Sequence, residues 1–255
     1  MILTDTHTHL YSSEFSDSVE DLIKRAGDQH VSRFFLPNID KDTFGLVLDL
    51  QKKFPNYCFA MLGLHPVHVR DDYLDQIKIL KKVSINNPFF AIGEIGLDFY
   101  WDKSFAKQQK DAFKIQCEWA SEIDFPISIH CRNAFPEILD LLGSLKSLSL
   151  RGIFHCFTGT EVEASQIIEM GFYLGVGGVI TYKNSTLKEV LRNIDLKHIV
   201  LETDSPYLPP VPYRGKTNES AYLFNIAEFL AQVKNCSLEE LAEITTRNSI
   251  KIFRT

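Results

Sequence analysis

The sequence predicts an α/β protein in which all 255 residues form a single (β/α)8 TIM-type barrel domain. Such a barrel normally needs about 250 residues, which this chain supplies without a surplus. Eight short apolar segments alternate with amphipathic ones, and the first and last begin at residues 2 and 198, a repeat of about 28 residues. No linker or low-complexity segment divides the chain. The alternative is a doubly wound open sheet, which has the same local pattern.

The eight apolar segments predict strands of a parallel sheet. Each is rich in Ile, Val, Phe or Leu and is bounded by turn-forming residues, a pattern typical of strands that are buried on both faces. The predicted strands are ILTD (2–5), SRFFLP (32–37), YCFAML (57–62), FFAIGE (89–94), FPISIH (125–130), GIFH (152–155), FYLGV (172–176) and HIVLE (198–202).

The segments between these strands predict helices, because their apolar residues recur at three- and four-residue spacings. Thr160 and Gly171 are expected to cap the fifth of them. The predicted helices cover residues 18–30, 42–54, 105–123, 134–145 and 161–171, and a closing helical segment is expected at 237–255.

Composition excludes several classes of protein. The net charge of −6 argues against a protein that coats nucleic acid with a broad basic face, but it leaves open an enzyme that binds a few phosphates in a local site. Five cysteines without a C-x-x-C pair indicate free thiols in a reducing compartment. No signal peptide or membrane-spanning segment is visible, so we expect a cytoplasmic protein without a membrane partner.

Polar residues follow or end five of the predicted strands. In a parallel barrel the carboxyl ends of all strands meet at one mouth, so these side chains are expected to converge there. Four imidazoles and two carboxylates suit two divalent cations with positions left for water and substrate. Taken one at a time, each residue has an ordinary alternative as a core histidine or a helix-capping carboxylate. The candidate metal ligands are His7, His9, Glu94, His130, His155 and Asp204.

Seven stretches of the sequence resemble the TatD-type metal-dependent deoxyribonucleases, a family of the amidohydrolase-like barrel superfamily. The resemblance runs from residue 5 to about residue 250, and it implies a (β/α)8 barrel with two metals and phosphodiesterase activity on DNA. The matching stretches are DTHTHL (5–10), GLHP (63–66), IGEIGLDFY (92–100), HCRNA (130–134), HCFTG (155–159), LETDSPYLPP (201–210) and RGKTNE (214–219).

The resemblance also implies roles for individual residues. The six candidate ligands match the family's ligand set, with Glu94 at the position that bridges the two metals. His65, Arg132 and Glu202 match positions that the family associates with substrate or catalysis. The sequence departs from the family at Tyr11, where members often carry Asp, and at Asn218-Glu219-Ser220, where they usually carry Asn-Glu-Pro. Neither departure is at a metal ligand, so only substrate fit near those loops is in question.

The expected chemistry is attack of a metal-activated water on phosphorus, with Mg, Mn or Zn as the metal and Asp204 as the general base. His65 lies within reach of the same mouth. Glu202 is expected to orient a ligand or the leaving group, although it is equally an ordinary carboxylate at a strand end. Arg132, Arg214 and Lys216 are expected to bind phosphate oxygens; the alternative for the last two is a solvated loop charge.

The expected function is a 3′–5′ exonuclease that acts on single-stranded DNA ends. A short end is favoured because no basic stripe marks a long binding track. Aromatic residues after the predicted fourth strand, Phe99, Tyr100 and Trp101, either stack on bases or pack against the protein, and the same choice applies to Phe157 and Tyr207. The alternatives are a metal-dependent amide or ester hydrolase and a non-catalytic metal-binding partner protein. The oligomeric state is left open.

Overall fold

Eight parallel strands form the centre of the molecule in the computed structural model, which describes residues 1–255. Each strand pairs with the next one along the chain, so the order in the sheet is the order in the sequence. The predicted barrel is therefore confirmed, and the open-sheet alternative is wrong. The strands are β1 (Leu3–Asp5), β2 (Val31–Pro37), β3 (Cys58–Leu62), β4 (Ala91–Asp98), β5 (Ile127–Arg132), β6 (Gly152–Phe154), β7 (Tyr173–Val176) and β8 (Ile199–Leu201).

The ring closes between β8 and β1. The amide of Thr6 donates to the carbonyl of Leu201 at 3.0 Å, and Thr8 forms an isolated parallel bridge with Ser205. The hydroxyl oxygens of Thr8 and Ser205 lie 2.6 Å apart. Since the contacts between Thr8 and Ser205 come after the last residues of both strands, the chain stays paired at the carboxyl end of the barrel, where the predicted ligands lie.

All five predicted helices and the closing segment are confirmed, and Thr160 caps its helix through a reciprocal pair of hydrogen bonds with Glu163. Three further helices, α3, α7 and α8, were not predicted. None of the helices is long and apolar enough to cross a membrane. The helices are α1 (Val19–Asp28), α2 (Phe44–Lys53), α3 (Tyr73–Ser84), α4 (Ala106–Glu122), α5 (Phe135–Ser144), α6 (Glu161–Glu169), α7 (Leu187–Asn193), α8 (Leu223–Lys234) and α9 (Leu238–Phe253).

The predicted end of the fourth strand is wrong. β4 continues through Glu94 to Asp98, and its pairing with β5 shifts register between Ile92 and Ile95. Glu94 therefore lies at an irregularity within the strand. At Gly93 the two strands come so close that a Cβ would lie 2.7 Å from the Cβ of Ser128, so only glycine fits there. Apolar pattern marks where such a strand begins, but it does not show an irregular stretch through which pairing continues.

An apolar cluster fills the interior of the barrel, and α9 covers its amino end. Phe253 of α9 stacks on Phe35 of β2, with ring centroids 3.9 Å apart. The Thr246 hydroxyl donates to the carbonyl of Ile2, just before β1, which ties α9 to this end. We call this cluster the apolar plug; its buried members are Phe35, Phe59, Met61, Ala91, Ile153, Val200, Ile252 and Phe253.

Candidate metal centre

The structure brings all six predicted ligands together at the carboxyl end of the barrel. Each reaches the mouth from a strand or from the residues directly after it, which is why residues far apart in the sequence meet there. His65, which follows β3, joins the same group. His7 and His9 follow β1, Glu94 lies in β4, His130 lies in β5, His155 follows β6 and Asp204 follows β8.

Glu94 lies between two groups of histidines. Its Oε2 is 3.1 Å from Nε2 of His7 and 3.9 Å from Nε2 of His9. Its Oε1 faces three other nitrogens, at 2.7 Å from Nε2 of His155, 2.8 Å from Nδ1 of His130 and 3.2 Å from Nε2 of His65. Each carboxylate oxygen thus faces a different set of nitrogens, as expected of a carboxylate that bridges two cations.

Asp204 completes the first of these groups. Its Oδ1 lies 3.5 Å from Nε2 of His9 and 3.8 Å from Nε2 of His7. The side chain is 14% exposed, so it keeps a path to the open mouth. Burial alone raises the pKa of Asp204, but its hydrogen bond to His9 and the charges of the nearby histidines outweigh burial and lower the pKa below its ordinary value. Asp204 is therefore a carboxylate at neutral pH.

In the second group two hydrogen-bond acceptors face each other, Nδ1 of His130 and Oε1 of Glu94. The Nε2 of His130 lies 3.0 Å from the carboxylate of Asp98, so the proton of a neutral ring sits on Nε2 and leaves Nδ1 as an acceptor. That Nδ1 is 3.1 Å from Nε2 of His155 and 2.8 Å from Oε1 of Glu94. Either a cation or additional protons must lie among these atoms. Imidazole nitrogens and carboxylate oxygens are the ligand types that divalent cations take in proteins.

The pKa directions agree with this crowding. Burial favours neutral Glu94, but the charges of His155, His65 and His7 outweigh burial and hold its pKa well below the ordinary value. Burial also opposes protonation of His155, yet Glu94 and Glu202 raise its pKa well above the ordinary value. At His65 burial prevails and lowers the pKa to about 4. A cation bound here therefore replaces protons, and its affinity for the site decreases as the pH is lowered.

Asp98, at the end of β4, is a site residue that the sequence analysis missed. Its Oδ2 lies 3.0 Å from Nε2 of His130, the nitrogen that faces away from Glu94. Its Oδ1 accepts the backbone N–H groups of Tyr100 at 2.9 Å and Trp101 at 3.4 Å. A carboxylate behind a metal-binding histidine fixes the orientation of the ring. The feature that marks Asp98 as a site residue is its position as the last residue of β4, the strand that carries Glu94.

Glu202 is fully buried behind His155. Its Oε1 accepts the backbone N–H of Cys156 at 2.5 Å and lies 3.6 Å from Nδ1 of His155, whose Nε2 faces Glu94. A Cβ at position 175 would collide with the Glu202 carboxylate, so Gly175 makes room for it. Glu202 therefore contacts a candidate ligand on the side away from the mouth, and the structure does not bring it to the open site.

Tyr11, the first departure from the family pattern, contacts a candidate ligand. Its hydroxyl donates to the carbonyl of Pro37 at 2.6 Å and lies 2.9 Å from Nδ1 of His9. Because the hydroxyl has one proton, the contact to His9 requires a proton on Nδ1. Nε2 of His9 is the nitrogen that faces Glu94 and Asp204. The departure at Tyr11 thus concerns the orientation of a ligand and not only substrate fit.

The second departure lies in a buried network between the segments that follow β1 and β8. Asp5 accepts the backbone N–H and the hydroxyl of Thr203, at 2.9 and 2.6 Å. Burial raises the pKa of Asp5 to about 7. The Asn218 side-chain amide donates to the carbonyls of Thr203 and Tyr207, and the Ser220 hydroxyl lies 3.2 Å from that of Thr8. This network holds in place the chain that carries Asp204.

The three basic residues expected to bind substrate lie in two places. Arg132 is exposed at the end of β5, two residues after His130. Arg214 lies over the ring of Tyr182, and the Lys216 ammonium is 5.8 Å from the ring centre of Tyr213. Neither Arg214 nor Lys216 makes a hydrogen bond or ion pair with a candidate metal ligand.

The aromatic candidates also divide into two sets. Phe99 and Phe157 are buried, so the packing alternative is correct for both. Tyr100 and Trp101 are exposed beside Arg132. Tyr207 is 47% exposed, and its ring centroid lies 5.9 Å from that of His9. Three aromatic side chains therefore remain available to a ligand at this end of the barrel.

Comparison with known proteins identifies relatives that are named as metal-dependent hydrolases and nucleases. The family model described as TatD related DNase matches residues 4–254. The chain is 37% identical to the uncharacterized metal-dependent hydrolase YabD of Bacillus subtilis, over 99% of each chain. It is 29% identical to the 3′-5′ ssDNA/RNA exonuclease TatD of Erwinia tasmaniensis, over 98% of each. The crystal structure of the TatD homolog YJJV from Escherichia coli superposes with a TM-score of 0.93 at 26% identity, covering 99% of this chain and 98% of that one.

Proposed function

The chain belongs to the TatD related DNase family of metal-dependent hydrolases, and on that premise we propose that it is an exonuclease that removes nucleotides from the 3′ end of single-stranded DNA. The observation that carries the proposal is the position of Glu94, whose two oxygens face separate groups of nitrogen ligands. Such an arrangement suits two cations that share one phosphate. The name of the Erwinia relative supports the substrate and the direction of cleavage.

The chain offers ligands for two divalent cations. His7, His9 and Asp204 would hold one cation and His130 and His155 the other, with Glu94 shared between them. His65 lies at 3.2 Å from Oε1 of Glu94 and is available to the second cation or to the substrate phosphate. When bound, such cations lower the pKa of a water and polarise the phosphoryl group. The imidazole-rich donor set favours Zn or Mn over Mg, which prefers oxygen ligands.

Asp204 is the best placed general base. Its pKa is lowered, so it is ionised at neutral pH, and its partial exposure gives it access to a water in the mouth. It accepts the proton of the attacking water as the new bond to phosphorus forms and the bond to the leaving oxygen breaks. Arg132 binds non-bridging phosphate oxygens, for which its guanidinium has a matching bidentate geometry.

The charge balance explains how an acidic protein attracts a polyanion. Two divalent cations with the carboxylates of Glu94 and Asp204 and neutral histidines leave a charge of about +2 among the ligands, which the ionised Asp98 behind His130 reduces to about +1, inside a chain of net charge −6. Because low-dielectric walls surround the site, this positive field is concentrated at the mouth. Repulsion elsewhere on the surface disfavours a long bound duplex and favours a substrate that enters by one end.

The test uses single-stranded DNA labelled at its 5′ end and protein stripped of metal by a chelator. Mg²⁺, Mn²⁺ or Zn²⁺ is then restored or withheld, and the products are resolved by length. We expect a metal-dependent ladder that shortens from the 3′ end, and slower cleavage of a duplex of the same sequence. An RNA of the same sequence tests whether the 2′-hydroxyl is tolerated. Immediate release of the labelled terminal nucleotide, which indicates cleavage from the 5′ end, would contradict the proposed polarity. No cleavage with any metal would contradict the nuclease proposal and favour another ester or an amide as substrate.

A further inference from the structure

Two exposed aromatic side chains lie next to each other in the loop between β4 and α4. Trp101 is 69% exposed and Tyr100 is 52% exposed. Their ring centroids are 4.9 Å apart and their planes are nearly perpendicular, at 88°. Both therefore present aromatic surface to solvent at the carboxyl end of the barrel, where the candidate metal centre lies.

Arg132 brings a positive charge to the same pair. Its guanidinium carbon lies 3.8 Å from the ring centre of Tyr100 and 5.4 Å from that of Trp101. A guanidinium held over an aromatic ring is kept in one orientation, and its free N–H groups still bind phosphate. The surface thus combines aromatic faces with a fixed cation, a combination that proteins use to bind single-stranded nucleic acid.

The position of this loop is fixed relative to the metal centre by a single carboxylate. Asp98 accepts the backbone N–H groups of Tyr100 and Trp101 with one oxygen and faces His130 with the other. The backbone N–H of Phe99 also donates to the carbonyl of Arg132 at 2.9 Å. The aromatic pair and the candidate ligand His130 are therefore held by the same side chain and the same strand pair.

We propose that Tyr100, Trp101 and Arg132 form a binding site for an unpaired nucleobase next to the scissile phosphate, with Trp101 as the stacking surface and Arg132 on the phosphate. This inference rests on the proposed nuclease function. Stacking is tolerant of base identity, since every base has a π face. In a duplex an internal base is covered on both faces and a terminal base is held by pairing, so reaching the site requires breaking stacking or pairing, and single strands are favoured.

The kinetic test compares normal and abasic single-stranded DNA. The abasic residue is placed on either side of the terminal phosphodiester, in two separate substrates. For Trp101→Ala we expect KM on normal DNA to rise about 10-fold or more, with a smaller change in kcat. Trp101→Phe keeps a ring and should retain most of the affinity. One of the two abasic substrates lacks the base that would stack on Trp101. On that substrate, wild type and Trp101→Ala should have equal KM, because there is no base for the ring to contact.

A matched control comes from the opposite end of the barrel. Tyr57 is 44% exposed and directly precedes β3, so Tyr57→Ala removes a comparable aromatic group far from the mouth. Its KM should equal that of wild type. Equal losses on normal and on both abasic DNAs would show that Trp101 only supports the loop, and that result would overturn the inference. So would an unchanged KM for Trp101→Ala on normal DNA.

A binding measurement separates this inference from the proposed function. The chain has two tryptophans, of which Trp119 is buried, so quenching by an added nucleotide reports on Trp101. We expect dAMP to quench the metal-loaded protein, and deoxyribose 5-phosphate, which lacks the base, not to. Trp101→Phe should abolish the quenching. Quenching without DNA cleavage would support the base-binding site and contradict the nuclease function. Cleavage without quenching would support the nuclease function and contradict the base-binding site.

Discussion

The two ends of the barrel use the same eight strands but differ in what they bury. The amino end and interior hold the apolar plug, in which Phe253 of α9 stacks on Phe35 and Phe35 stacks on Phe59. The carboxyl end buries carboxylates, imidazoles and hydroxyls, including Asp5 and Glu94. The same set of parallel strands thus supports two environments, which differ in the side chains that each end buries.

This difference shows how the molecule supports a costly site. Three of the seven buried polar side-chain atoms that lack a hydrogen-bond partner lie at the carboxyl end, namely Nδ1 of His155, Oε2 of Glu202 and Oδ1 of Asn218, and none of the seven belongs to the apolar plug. Each such atom costs free energy of folding, about 1–3 kcal/mol. The apolar plug has no polar side-chain group and contributes burial instead. We therefore expect changes at the carboxyl end to affect chemistry more than stability, and changes in the plug to do the reverse.

The largest expected effect on activity is that of Asp204→Asn. The amide cannot accept the proton of the attacking water, so kcat should fall by about 10²- to 10⁴-fold, while the volume of the side chain is unchanged. The free energy of unfolding of the metal-free protein should change little. Asp140→Asn, an exposed change of the same type on α5, is the control and should retain full activity. Normal turnover of the Asp204 variant would remove that residue from the mechanism.

The reverse outcome is expected for Phe253→Ala in the plug. Removal of a buried aromatic ring should lower the free energy of unfolding by about 3–5 kcal/mol, measured by urea denaturation. At a temperature where the variant is folded, kcat and KM should match wild type. Phe253→Leu, which retains most of the apolar volume, should lose less. A fall in kcat of the folded variant would show that the two ends are not independent.

A third prediction concerns the pH dependence of stability and uses Asp5. Burial of this carboxyl raises its pKa from 3.8 to about 7. Between these values the folded protein keeps a proton that the unfolded chain has released, so the stability due to this group is present below about pH 4 and is lost as pH rises to about 7. The loss is about 4 kcal/mol at most. The test is urea unfolding of the metal-free protein and of Asp5→Asn at several pH values.

Because the amide does not ionise, Asp5→Asn should lack this part of the pH dependence. Its stability relative to wild type should therefore rise from pH 4 to pH 7 and then level off. Other groups titrate in the same range, and His65 contributes the opposite slope, but both proteins share those groups and the difference cancels them. A constant difference across the range would mean that Asp5 is ionised throughout.

Strand positions and the convergence of the candidate ligands could be predicted from the sequence, because buried parallel strands carry continuous apolar runs and their carboxyl ends converge. The pattern failed where structure departs from regularity. β4 continues past Glu94 through an irregular register, so the apolar run indicated too early an end and hid Asp98. The buried residues of α8 do recur at three- and four-residue spacings, but further apolar residues on its other face, Phe224, Phe229 and Val233, hid this pattern in the sequence.

Contacts behind the ligands were not accessible from the sequence. Tyr11 contacts the backbone of Pro37 and the ring of His9, and Glu202 contacts His155 from β8. These partners come from different strands, and nothing in residue spacing indicates which atom faces which. Predicting them needs the register and the rotamers, which only the folded barrel supplies.

The smallest expected effect, and the sharpest probe of this supporting layer, is that of Asp98→Asn. The amide loses the negative charge that favours a proton on Nε2 of His130, so Nδ1 becomes a poorer ligand. Metal affinity, measured by competition with a chromophoric chelator, should fall about 10- to 100-fold. Asp102→Asn, an exposed change four residues further along the same loop, should leave affinity unchanged. Because the amide oxygen can still accept the N–H groups of Tyr100 and Trp101, KM for normal DNA at saturating metal should change little. Unchanged metal affinity would mean that His130 is held by its strand alone and that the carboxyl end tolerates loss of its supporting charge.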